Sequence, residues 1–103
     1  MTALAVLTTL DDEAAARALA RKAVEARLAA CVHLEKISAC FLWQGSVEEA
    51  PEWRLLFKTT EAAYDDLARL IEHEHPYDLP ALWAFEASRG APAFLDWIAE
   101  STR

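Results

Sequence analysis

Ile37-Ser38-Ala39-Cys40-Phe41-Leu42-Trp43-Gln44-Gly45-Ser46-Val47 is the stretch on which the fold turns. Read with the two-residue period of a strand, Ile37, Ala39, Phe41 and Trp43 share one face. Cys40 and Leu42 on the opposite face are apolar as well. Gln44-Gly45 marks a turn, and the chain returns from Val47 to Thr60 with Ala50-Pro51 interrupting the return arm. A proline has no N–H for a ladder, so it belongs at a sheet edge or a bulge. The return arm sets Trp53, Leu55 and Phe57 against Arg54, Leu56 and Lys58. The sequence therefore predicts a long β-hairpin, Ala30 to Thr60, that is greasy on both sides.

The segments on either side complete a recognisable order. Ala3 to Thr9 is a short apolar run and reads as a buried strand. Asp11 and Asp12 supply acceptors at a helix start, after which Ala16, Leu19, Ala20, Ala23, Val24 and Leu28 recur at helical spacing. Thr60 can cap a second helix with Ala63, Leu67, Leu70 and Ile71 inward, and Pro76 ends it. Ala81 to Ala87 reads as a last strand, and Pro92 opens a short helix with Phe94, Trp97 and Ile98 on one side. The fold expected is α+β, a ferredoxin-like split βαβ sandwich (βαββαβ) with a long β-hairpin and a short C-terminal helix. One domain spans residues 1–103. Helices would cover one face of the sheet and leave the other bare. Phe41, Leu42, Trp43 and Trp53 would then form an exposed apolar patch, and the sequence predicts that further copies of the chain cover it.

Composition removes several functions. The net charge of −7 speaks against binding a phosphate backbone, so nucleic acid is not an expected partner. No run approaches the roughly 18 apolar residues of a membrane span, and the start of the chain does not read as a signal peptide. Two glycines, Gly45 and Gly90, cannot make a glycine-rich phosphate loop, and no Gly-x-Ser-x-Gly elbow exists. The loop after the first strand holds Leu10-Asp11-Asp12 and the chain has no Asn, which excludes an acylphosphatase-like site. Two cysteines are too few for a disulfide framework, so the expected setting is cytoplasmic.

Glu72-His73-Glu74-His75 is the one cluster with metal-ligand residue types. His73 and His75 point apart on a helix, but Pro76 forces an exit at which Glu74 and His75 can converge. A neutral imidazole suits copper and zinc. The competing reading is that His75 hydrogen-bonds locally and pins the turn. Cys31, in an Ala-rich strand start, reads as an inert buried thiol, and Cys40 as either an interface side chain or a soft copper ligand.

Five stretches then fall in a familiar order: Leu28-Ala29-Ala30-Cys31-Val32, Trp43-Gln44-Gly45-x-Val47-Glu48-Glu49, Lys58-Thr59-Thr60, His75-Pro76-Tyr77-x-x-Pro80 and Leu95-Asp96-Trp97-Ile98. In these the chain resembles the CutA family of divalent-ion tolerance proteins nearly end to end. The resemblance implies a cytoplasmic homotrimer knitted by its hairpins, linked to copper and other divalent ions, with no catalysed reaction and no required cofactor. It also implies that Lys58, His75, Tyr77 and Trp97 border one cleft between subunits, where a lysine with aromatic walls can hold a small anion. An alternative of the same architecture is a PII-like sensor with its ligand in that cleft. The chain departs from the family pattern at Thr8 (a Cys in some relatives), Glu74 (a His in some), His33 (usually Asn), Phe41 (usually Tyr) and Ala81 (often acidic). Of these, Thr8 and Glu74 stand where the resemblance implies ligands in copper-binding relatives, whereas His33 reads as a structural hydrogen-bonding replacement and Phe41 loses a hydroxyl.

Overall fold

Gln44 and Gly45 both take positive φ, 49° and 82°, in the turn joining the arms of the hairpin. Two such residues make a type I′ turn, whose twist matches that of the strands it joins. It sets Trp43 opposite Ser46, and the register continues unbroken to Cys31 opposite Lys58. A computed structural model describes all of residues 1–103. Its elements are β1 (Ala3–Leu10), α1 (Glu13–Glu25), β2 (Cys31–Trp43), β3 (Ser46–Thr60), α2 (Glu61–Glu74), β4 (Trp83–Glu86) and α3 (Pro92–Ser101). The four strands form one antiparallel sheet in the order β2-β3-β1-β4. That is the arrangement expected of the split βαβ pattern.

Strand alternation and the two long helices make the core. Val6 and Leu10 of β1, with Leu55 and Phe57 of β3, are fully buried beneath Ala16, Leu19 and Ala23 of α1 and Leu67 and Ile71 of α2. The alanines let α1 lie close on the sheet. Asp12 caps that helix, accepting from the Ala14 and Ala15 amides at 2.9 and 3.4 Å, and Thr60 accepts from Ala63 N–H at the start of α2. Val24, expected inward, is exposed: it stands about 80° around the helix from Ala16, at the rim of the buried stripe. The last strand is also shorter than expected, Trp83–Glu86, pairing with Leu4–Leu7 of β1, and the Ala87 N–H donates to the Ala3 carbonyl at 2.9 Å just beyond it.

Beyond Leu10, paired with Trp53, the sheet loses β1 and the hairpin continues as a two-stranded ribbon. Pro51 lies in this part, where the outer side of β3 has no ladder to lose. The ribbon gives the molecule its 44 × 25 × 21 Å shape and a radius of gyration of 14.2 Å, against roughly 13 Å for a globule of this length. The sheet face turned away from α1 and α2 stays open. Register lines it in three rows: Cys31-Lys58-Ala5-Phe85, His33-Leu56-Leu7-Trp83, and Glu35-Arg54-Thr9. Trp83 is 59% and Phe85 50% exposed there.

One polar atom in the core has no partner. Thr8 Oγ1 is buried and unbonded on the helix side of β1. A buried, unpartnered hydroxyl carries a desolvation cost of about 1–3 kcal/mol. Thr8→Val, which keeps the shape, is therefore expected to raise stability by about 1 kcal/mol in urea unfolding. A loss of stability would show that the hydroxyl is bonded in solution.

Candidate functional site

Pro76 cannot continue α2, so the chain turns out at His75, whose φ and ψ of −71° and 135° are already extended. The turn swings the Pro76–Ala81 loop toward the hairpin ribbon. His75 holds it there. Its Nε2–H donates to the Thr9 carbonyl at 2.8 Å, and its Nδ1 accepts from the Tyr77 amide at 3.1 Å. The ring is 8% exposed and packs edge-on against Tyr77, centroids 4.8 Å apart. Between loop and ribbon lies a groove of about 710 Å³ with aromatic walls from Phe41, Trp43 and Tyr77. Five carboxylates, from Asp11, Glu48, Glu49, Glu52 and Asp78, line it without a single basic residue. Tyr77 Oη donates to Glu52 Oε2 at 3.0 Å. Burial first, then the bond to Glu52 and the charges of Glu52 and Asp11, push the phenol well above its ordinary 10.0.

The residues expected to bind a metal do not fit one. Both ring nitrogens of His75 are taken by backbone partners. Glu74 bonds Lys22 Nζ at 2.8 Å, a contact that holds its carboxyl below the usual carboxylate value. His73 is exposed on α2, and no three potential ligands converge anywhere in the chain. His75 is the pin of the turn.

The remaining expected site residues occupy two separate regions. Lys58 Nζ lies 5.3 Å over the Phe94 ring, and Phe94 stacks on Trp97 at 5.8 Å. Tyr77 sits by Glu52, six residues and so about 20 Å along β3 from Lys58. Any cleft that holds all three must draw Tyr77 from one subunit and Lys58 with Trp97 from another. Phe41 and Trp43 are exposed in the groove wall, whereas Trp53 packs on the core beneath the Arg17 guanidinium. Cys40 is exposed. Cys31 is half-buried and faces the open side of the sheet, a correction to its reading as an inert core thiol. His33 is on the same side, and Lys58 Nζ donates to its Nε2 at 3.3 Å. This grouping of Cys31, His33 and Lys58 was not expected, although the alternation of β2 carried the signal.

The model of the CutA1 divalent ion tolerance protein family matches residues 4–101. The divalent-cation tolerance protein CutA of Thermus thermophilus is 40% identical over 94% of the chain and 95% of that protein. Its solved structure superposes with a TM-score of 0.93, covering 98% of this chain and 99% of that one at 38% identity. CutA1 from Oryza sativa superposes at 0.95 with 31% identity over 100% and 95% of the two chains.

Two measurements check this geometry. His75→Ala removes both backbone bonds and is expected to lower stability by about 2 kcal/mol in urea. Glu52→Gln removes the charge beside the phenol, so the pKa of Tyr77 should fall toward, but not reach, that of an ordinary tyrosine, because burial remains. Ultraviolet titration of the phenolate, with Tyr77→Phe as the control, reads this directly. Because the folded value is the raised one, the stabilisation tied to the protonated phenol is intact below the ordinary 10.0 and is lost as pH climbs through the folded value.

Proposed function

The chain belongs to the CutA1 divalent ion tolerance family, and from that premise we propose that it is a non-catalytic, homotrimeric, cytoplasmic cation-tolerance protein that meets copper or zinc as an assembly. The match across residues 4–101 is the observation that carries the reading. The shape of the chain supports the assembly. Phe41, Trp43, Trp83, Phe85, Phe94 and Trp97 are exposed on the ribbon and on the open side of the sheet, more apolar surface than a monomer usually tolerates. The sheet also ends in two unpaired edges, β2 and β4. An edge that joins a different edge on the next copy makes a head-to-tail contact, and such contacts form a ring where the rotation between copies closes.

Assembly also bears on the ion. A tight transition-metal site takes three or four ligands, and one chain gathers no such set. Donors from adjoining copies supply the difference. The names of the relatives describe cation tolerance and not catalysis, and no observation favours the PII-like alternative. Two free cysteines nine residues apart on one strand are too distant to bridge, which suits a reducing compartment. No helix is long and apolar enough to cross a membrane.

Sedimentation equilibrium in dilute neutral buffer is expected to return three times the 11.5 kDa chain mass. Phe41→Asp with Trp43→Asp is expected to shift the population to smaller species. A well-behaved single chain from the unmutated protein would remove the assembly.

A further inference from the structure

The open side of the sheet carries charge at both ends, and neither end is balanced within the chain. Register turns two cations of the hairpin to that side, Arg54 and Lys58. Arg54 is paired with Glu35 at 2.8 Å. Lys58 has no carboxylate: its ammonium meets only the imidazole of His33, at 3.3 Å, and the ring of Phe94. At the other end, the groove beside Tyr77 holds five carboxylates and no basic side chain. Lys58 cannot serve the groove of its own chain, because the six residues from Glu52 to Lys58 span about 20 Å of β3.

The exposed aromatic side chains on this side call for a cover, which the assembly reading supplies with further copies. A cover of apolar side chains alone would take both sets of charges out of water unpaired. An unpaired buried charge is strongly destabilising. The cover therefore has to bring a cation to the groove and carboxylates to the lysine. One contact does both.

We propose that the acidic groove of one copy receives Lys58 of the next. The contact rests on the assembly reading and takes from it only that copies meet; the residues come from charge and placement. Because the two surfaces differ, the contact is head-to-tail: each copy gives a lysine on one side and accepts one on the other, and no groove is complete alone. Glu52 is already bonded to Tyr77, so the incoming ammonium falls to Glu48 of the ribbon and Asp78 of the loop. The apolar flanks agree. Phe41 and Trp43 wall the groove, Phe94 and Trp97 stand beside the lysine, and all four are exposed in the single chain. Carboxylates of the next copy then take the place that a small anion would have at this lysine.

The test is the dissociation constant of the full-length assembly, from sedimentation equilibrium over a dilution series in moderate urea. Lys58→Glu, and Glu48→Lys combined with Asp78→Lys, should each weaken assembly at least about tenfold. The triple variant, reversed at both ends, should regain most of that loss. Lys36→Glu, on the helix side of β2, should leave assembly unchanged. A second readout uses the unmutated protein and decides the matter if a variant fails to fold. Carbodiimide treatment of an assembly formed from isotope-labelled and unlabelled chains should join a Lys58 peptide of one chain to a Glu48 or Asp78 peptide of another, read by mass spectrometry. A triple variant no better than its parents, an equal loss in Lys36→Glu, or cross-linked copies without that peptide overturns the contact while the assembly stands. So does binding of spermidine to the unmutated assembly that Glu48→Lys with Asp78→Lys abolishes, because the groove would then be open to solutes. An unmutated protein that sediments as a single chain overturns the assembly and the contact together.

Discussion

Everything in this molecule follows from one register, that of the long hairpin. With Trp43 opposite Ser46, Leu55 and Phe57 point into the helices, and Leu56 and Lys58 point away. A slip of one residue would exchange the faces of the whole arm. It would put Lys58 in the core and expose Phe57. That cost is far larger than any single contact in the hairpin, so the register is set by burial and the turn only agrees with it. Gly45 meets no neighbour where a Cβ would stand, but at φ +82° a side chain would strain the turn itself.

The same register made much of the fold legible in the sequence. Ile37 to Trp43 alternate with no polar face, which a half-buried sheet edge does not need and a protruding, partner-covered ribbon does. Caps were legible because they are local: Asp12 and Thr60 act within three residues of themselves. What depends on distance was not. The partner of the His75 ring is the Thr9 carbonyl, 66 residues away, and no local pattern reports it. Without that bond His75 reads as a ligand; with it, as a pin. The separation of Tyr77 from Lys58 is a matter of length along β3, visible only once both were placed on the sheet. Cys31 was misjudged because an Ala-rich context suggests burial, whereas its parity with His33 and Lys58 decides its face.

The open face is chemically uneven along its length. Toward the hairpin tip it carries five carboxylates and aromatic walls, in a chain whose net charge is −7. Toward the other end it carries Lys58, His33 and Cys31 beside Phe94 and Trp97. Oxygen donors suit hard cations, whereas sulfur and nitrogen suit softer ones. The acidic end therefore sets five like charges beside aromatic rings, a field that draws cations of any kind, while the other end sets an ammonium over an aromatic ring. Two regions of opposite electrostatic character thus stand about 20 Å apart along one strand.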